Sequence, residues 1–287
     1  MRSPADILRR HGHGPTLQRA RMAVLAPGLR LTRRWRPLPD FLVVGVQKSA
    51  TTSVFRWLAA HPDVAPALVK EVHFFDHNWS RGPDWYRGHF PLRAGRRRGR
   101  LTGEASPSYV FHPLVPGRVR QTLPDARLIA LLRNPVDRAY SHYQHGVRWG
   151  YEPLSFEAAL EREPERLRGE RRRLARDPDH DARRLLRYSY QARGRYAEQL
   201  ERWLALFPRE QLLVLESSRL TSDPQGAFEA VQRFLGLRPV PLATRVRHHA
   251  YSYPPMHPAT RARLVEQFRP QNERLYQLLG RSFAWDR

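Results

Sequence analysis

The chain has 287 residues, 41% of them hydrophobic, with a formal charge of +23 and no cysteine. That length suits one large α/β domain or two small ones, and the apolar share belongs to a globular core rather than a disordered chain. The missing cysteine excludes disulfides and thiolate metal sites. The charge has two readings. One is a polyanionic partner such as nucleic acid, an anionic glycan or a membrane surface. The other is the arginine bias of a GC-rich, bacterial genome: of the 50 lysines and arginines only Lys48 and Lys70 are lysine, which leaves 48 arginines.

Residues 1–38 are basic (Arg2, Arg9, Arg10, Arg19, Arg21) and do not read as a signal peptide, because their best apolar stretch, 22–25, runs into Pro27 and Gly28. No run approaches the roughly 20 apolar residues of a membrane span. The expectation is a cytoplasmic protein with a basic N-terminal segment, 1–38, for which peripheral membrane contact stays open, and a main domain, 39–287. Short apolar runs at 41–46, 100–103, 127–132 and 211–215 predict buried strands, with a fifth near Val64. Helical patterns at 52–60, 136–149, 192–207, 225–235 and 258–279 alternate with them. Strands alternating with helices predict an α/β fold, a parallel β-sheet flanked by helices on both faces. Residues 161–187 are mostly charge and read as a charged helical insertion on the surface; "RAGRRRGR" at 93–100 reads as a basic loop, with a polyanion site as the sharper alternative.

"VVGVQKSATTS", residues 43–53, joins the first strand to the first helix through a lysine and small or hydroxylated residues. Backbone N–H groups at a helix start, with the positive end of its dipole, attract an anion. Small residues let the backbone approach phosphate, and Thr51, Thr52 and Ser53 can donate hydroxyl hydrogen bonds. The loop is not the Walker A pattern G-x-x-x-x-G-K-[ST]: Gly45 stands three residues before Lys48, and Ala50 sits where a glycine is expected. A metal-dependent P-loop phosphotransferase also needs an acidic residue after a second strand. Here "RLIALLRNP" ends in Arg133, which repels a divalent cation and attracts phosphate. Asn134 as N-cap and Pro135 at the first position open the next helix, and Ser141 lies about two turns along. The pattern predicts an anionic nucleotide bound without a metal.

"KEVHFFD", residues 70–76, is read as extended, which turns Glu71, His73 and Phe75 one way and Val72, Phe74 and Asp76 the other. A carboxylate beside an imidazole can take a proton from an alcohol. A buried strand end with a charge pair is the plainer reading of the string taken alone.

Together these strings resemble the PAPS-dependent sulfotransferases of the heparan-sulfate type, and in motif most of all the glucosaminyl 3-O-sulfotransferases and their bacterial relatives. The resemblance runs from about residue 40 to residue 285 and implies a P-loop-NTPase-like sulfotransferase fold. "FLVVGVQKSATTS" is similar to the family's 5′-phosphosulfate loop, "KEVHFFD" to its catalytic string, "ARLIALLRNPVDRAYSHY" to its 3′-phosphate segment and "GRYAEQLERWLALFPREQLLVLESSRLTSDPQGAFEAVQRFLGL" to its later helix–strand–helix stretch. It implies that Lys48 stabilises charge on the leaving phosphate oxygen, that Ser49, Ala50, Thr51, Thr52 and Ser53 hold the 5′-phosphosulfate, and that Glu71 is the base, with His73 beside it. Arg133 and Ser141 hold the 3′-phosphate. The implied donor is 3′-phosphoadenosine 5′-phosphosulfate (PAPS), with no metal; the implied acceptor is a hydroxyl of a carbohydrate, a lipid or a secondary metabolite, with no specific nucleic acid partner. The chain departs from the family in three places. Ala105 in "GEASPSY" stands where the 3-O-sulfotransferases have lysine, Thr52 where they have arginine, and "RHHAYSYPPM" where a Lys-Gly-Arg string closes over the donor. Arg247, His248 and Tyr253 are the candidates there for donor contact. A polyanion-binding module without catalysis remains the reading that the charge alone supports.

Overall fold

Successive residues of the apolar runs enter different cores, which is why the runs are continuous rather than alternating. A computed structural model describes residues 31–92, 100–177, 180–243 and 252–285. Strand β1 (Phe41–Gly45) leads into helix α1 (Thr51–Ala60), followed by two short helices, α2 (Phe74–His77) and α3 (Gly82–Arg87), and strand β2 (Gly103–Ala105). Next come α4 (Val115–Thr122), β3 (Arg127–Leu132) and α5 (Pro135–Arg148). Three helices cover the charged stretch: α6 (Phe156–Arg166), α7 (Glu170–Arg176) and α8 (Arg183–Tyr188). The chain then forms α9 (Tyr196–Leu204), β4 (Leu212–Glu216), α10 (Arg219–Ser222), α11 (Pro224–Leu235) and α12 (Pro258–Leu279).

The four strands pair in parallel in the order β2-β1-β3-β4. Leu42, Val44, Leu128, Ala130 and Leu132 face a core shared with Trp203 and Leu200 of α9, while Phe41, Val43, Ile129 and Leu131 face another shared with Trp57 of α1 and Phe228 of α11. Each of the valine, leucine, isoleucine and phenylalanine side chains among them contributes about 1.5–3 kcal/mol on burial. A third cluster joins α5, α6 and α12. Leaving β1, the chain builds β2 on one side and then crosses to β3 on the other. The loops that follow β1 and β3 therefore open side by side at the carboxyl edge, where parallel sheets place ligands.

The sequence expectations need several corrections. β2 begins at Gly103 rather than at residue 100, and Leu101 makes only an isolated bridge to Val64. The expected fifth strand near Val64 shortens to that bridge between Pro62 and Pro66, with Ala65 N and Ala67 N donating to the carbonyls of Leu101 and Gly103. Gly103 is packed under Phe41, whose ring would lie 2.4 Å from any Cβ there. Helix α9 starts at Tyr196, not at residue 192, after a single 3-10 turn at Ala192–Gly194. The stretch 161–187 is helical as expected but not merely superficial: Glu163, Glu170, Leu174 and Leu185 are buried, and Glu163 accepts from the backbone N–H groups of Gln191 and Ala192 at 2.7 and 2.8 Å. The basic run 93–99 and the candidates Arg247 and His248 lie outside the described residues. Among the described residues no helix is long and apolar enough to cross a membrane.

Candidate functional site

The turn after β1 is built from left-handed backbone. Lys48 has φ 73° and Ala50 has φ 61°. Such alternation bends consecutive N–H groups toward one point. Ala50 is the N-cap of α1 and offers no side-chain oxygen to its first-turn N–H groups, which leaves that helix end fitted for an anion. Thr51 and Ser53 are buried and Thr52 is half-buried. Ser49 is buried, and its Oγ has no hydrogen-bond partner. An orphaned hydroxyl inside a nest of N–H groups fits a phosphate-like oxygen.

The turn after β3 meets this loop directly. Arg133 donates from Nη1 to the carbonyl of Lys48 at 3.1 Å. The backbone carbonyl of Arg133 accepts from the Tyr196 hydroxyl at 2.8 Å. Asn134 caps α5 by accepting from Val136 N at 2.9 Å, with Pro135 at the first position, as the sequence predicts. Ser141 is buried two turns along α5. Tyr253 packs edge-on against Tyr140, the neighbour of Ser141, with ring centres 5.4 Å apart. Burial, then the positive charges of Arg133 and Arg148, push the Lys48 ammonium down to about 8, and Glu71 opposes them. The hydrogen bond from Arg133 joins the two turns, and Arg133, Arg148 and Glu71 all act on the charge of Lys48.

The segment 70–76 is not extended. Glu71 has φ 60° and His73 φ 54°, and Phe74 begins α2, so the expected alternation of faces fails. Phe74 and Phe75 are both wholly buried, and Asp76 lies on the same side as His73 rather than opposite. The juxtaposition of Glu71 and His73 survives by another route. His73 Nε2 is 3.6 Å from Glu71, and its Nδ1 donates to Asp76 at 2.9 Å. Lys70 Nζ donates to the other oxygen of Glu71. Burial alone would raise the Glu71 carboxyl, but Lys70 and His73 hold it well below the usual carboxylate range. Its side chain is still 41% exposed, so it is reachable from solvent. Burial would likewise lower His73, yet Asp76 and Glu71 raise it to about 10. At neutral pH the site therefore contains an imidazolium between two carboxylates.

Three contributors escaped the sequence reading. Glu104 is wholly buried beneath the segment 70–76 and accepts from Val72 N (3.2 Å), Ser106 Oγ (2.7 Å), Tyr109 OH (2.7 Å) and Tyr86 OH (2.9 Å). Burial raises its carboxyl, and its hydrogen bonds oppose this. The "GEASPSY" turn also receives Glu71 N on Ala105 O and His73 N on Ser106 Oγ, so it moulds the left-handed backbone around Glu71. Asp76 anchors His73 and accepts from Ser108 Oγ. Arg193, buried, donates to Gln47 Oε1 at 3.0 Å and braces the turn after β1 beside Lys48. Among the described residues, His73, Asp76 and His77 could also converge on a metal ion, with ligand atoms within 4.8 Å of one another. The Asp76 carboxylate is already engaged by His73 and Ser108, which suits proton sharing better than metal ligation.

Residues 38–282 match the family described as sulfotransferase domain. The chain is 34% identical over 286 residues to human heparan sulfate glucosamine 3-O-sulfotransferase 6, covering 91% of this chain and 78% of the relative. It is 32% identical over 273 residues to bovine bifunctional heparan sulfate N-deacetylase/N-sulfotransferase 2, covering 85% of this chain and 30% of that longer protein. Among solved structures, a sulfotransferase from Alicyclobacillus acidocaldarius superposes with a TM-score of 0.72 at 33% identity, covering 88% of this chain and all of that one. With a parallel sheet opening a small-residue turn beside a basic second turn, and with these likenesses spanning most of its length, the chain belongs to the sulfotransferase family of enzymes.

Proposed function

We propose that this enzyme transfers a sulfonyl group from PAPS to a hydroxyl of a carbohydrate acceptor, without a metal and in the cytoplasm. The observation that carries the reading is the hydrogen bond from Arg133 to the Lys48 carbonyl, with Glu71 within electrostatic reach of the same lysine. Lys48, Ser49, Ala50, Thr51, Thr52 and Ser53 would hold the 5′-phosphosulfate, Arg133 and Ser141 the 3′-phosphate, and Tyr253 would flank the nucleotide through Tyr140. When bound, PAPS supplies a sulfonyl group that leaves the bridging phosphate oxygen for the acceptor oxygen, yielding adenosine 3′,5′-bisphosphate and a sulfate ester. Lys48 balances the charge that gathers on the departing oxygen. Arg148, on the last turn of α5, adds a second positive charge beside Lys48, a role that Ala105 cannot fill.

Glu71 receives the proton of the acceptor hydroxyl. A carboxylate held so low is a weak base, so it acts late, when bonding to sulfur has made the hydroxyl acidic; before that it orients the nucleophile. His73, fixed by Asp76, keeps Glu71 in place and ionised. The test is transfer of labelled sulfonate from PAPS to a set of oligosaccharides in the presence of EDTA. Glu71→Gln is expected to lower kcat by about 10²–10⁴-fold with adenosine 3′,5′-bisphosphate binding retained. Full turnover by that variant removes Glu71 from the reaction, and loss of turnover in EDTA hands the site to the His73, Asp76 and His77 cluster.

A further inference from the structure

Helix α2 ends in a histidine that the proposed reaction does not use. His77 lies one turn beyond His73, and its backbone N–H donates to the His73 carbonyl at 3.2 Å. That spacing brings both imidazoles to one side, with ring centres 5.1 Å apart. Asp76 stands between them. Its carboxylate accepts from Nδ1 of His73 at 2.9 Å and lies 3.9 Å from Nε2 of His77. One ligand atom from each of the three residues lies within 4.8 Å of the other two. Ligands of a tetrahedral zinc ion, each about 2.0–2.1 Å from it, stand roughly 3.3 Å apart. The cluster therefore closes on an ion by small side-chain movements.

The groups behind these three are those that a metal site needs. A histidine bound to a metal commonly gives its other ring nitrogen to a carboxylate, which fixes the ring and its tautomer. With Nδ1 of His73 turned to Asp76, its Nε2 faces Glu71 at 3.6 Å. A carboxylate bound to a metal is itself hydrogen-bonded, and Asp76 accepts from Ser108 Oγ. The Asp76 side chain is sealed from solvent, while that of His77 is 34% exposed and gives an ion its way in. Two imidazoles and one carboxylate suit zinc, cobalt or nickel; magnesium and calcium want oxygen ligands alone.

We infer that His73, Asp76 and His77 form an inhibitory site for a zinc-like divalent cation, in which the ion replaces the proton that His73 shares with Asp76. The N–H bond at Nδ1 breaks, its proton passes to solvent, and the same nitrogen binds the ion. Sharing that proton is the working state of the site; holding the ion is its arrested state. The inference rests on the sulfotransferase reading for its consequence alone, since the three ligands meet whatever the reaction. A divalent ion in place of a proton adds one positive charge beside Glu71, and a carboxylate so stabilised is slower to take the acceptor's proton.

Zinc chloride is titrated calorimetrically into the full chain as wild type, as H77A and as H11A/H13A. The double variant removes another closely spaced histidine pair, in "RRHGHG" near the N-terminus. His77 is exposed, which keeps the fold out of the comparison. The site predicts a loss of zinc affinity of about tenfold or more in H77A and less than about twofold in H11A/H13A. Equal affinity in H77A and wild type, or the larger loss in H11A/H13A, overturns the inference, as does magnesium chloride binding as tightly as zinc. Transfer of labelled sulfonate from PAPS is followed in the same solutions. Zinc should lower wild-type turnover and EDTA restore it. H77A without zinc should turn over within about twofold of wild type, and should need about tenfold more zinc for half inhibition. Zinc that binds through His77 yet leaves turnover unchanged, or turnover that EDTA abolishes, overturns the inhibitory role. Adenosine 3′,5′-bisphosphate is titrated in parallel: its failure to bind wild type defeats the donor reading, while the zinc titrations still report on the cluster.

Discussion

The turns after β1 and β3 sit side by side at the same edge of the sheet, yet they are finished in opposite ways. The second closes its own helix: Asn134 caps α5, and Pro135 has no N–H to leave over. The first leaves α1 open, with a left-handed alanine in the cap position and a buried Ser49 hydroxyl without a partner. A satisfied helix end can recognise an anion only through side chains, for which Arg133 and Ser141 are the proposed ones. An unsatisfied one can use its backbone. The sheet thus presents a backbone cradle next to a side-chain clamp, and the two should respond differently to mutation.

The largest effect is expected at the cradle. Lys48→Ala should lower kcat by about 10²–10³-fold, the usual cost of removing a group that stabilises charge in the transition state, and should weaken adenosine 3′,5′-bisphosphate as well. Steady-state kinetics and calorimetry read the two separately; a change in affinity alone would make Lys48 part of the clamp. Arg133→Ala should reduce the preference for adenosine 3′,5′-bisphosphate over adenosine 5′-phosphate by about tenfold to a hundredfold, with a smaller effect on kcat. An unaltered preference would place the 3′-phosphate elsewhere. A pH series sharpens the contrast. Lys48 has been pushed down to about 8, and only its protonated form attracts the donor. Wild-type affinity should therefore fall as pH rises through about 8, and Lys48→Ala should flatten that limb. The smallest effects concern the helix ends themselves. Ala50→Gly relieves left-handed strain and should stabilise the fold by about 0.5–1 kcal/mol, whereas Asn134→Ala should cost about 1 kcal/mol. Urea unfolding midpoints measure both, and shifts of the same sign would erase the distinction between an open and a closed end.

Much of this was legible in the chain. The parallel sheet followed from apolar runs at 41–46 and 127–132 that alternate with helical patterns, because strands buried on both faces carry no polar positions. The turn between the first strand and the first helix followed from Lys48 among small residues, and the α5 entry from Asn134–Pro135. The shape of 70–76 was not legible. Its alternating string reads as a strand, but Glu104, 32 residues from Val72, gathers Val72 N and two phenols around itself beneath the left-handed turns at Glu71 and His73. Local pattern holds no record of so distant a partner. Arg193 escaped for another reason: among 48 arginines nothing marks the one that reaches Gln47. The charged stretch 161–187 looked like surface because its large inward apolar residues, Leu174 and Leu185, are sparse among charges and two other inward residues, Glu163 and Glu170, are acidic.

The pair Glu71 and Glu104 inverts a habit of thought about enzymes. Depth in the protein is commonly taken as a mark of chemical importance, yet here the acid sealed from water serves as masonry and the acid proposed to meet the acceptor is the exposed one. Any survey that ranks carboxylates by enclosure, or redesigns this enzyme by sparing only its interior, would protect the wall and discard the tool.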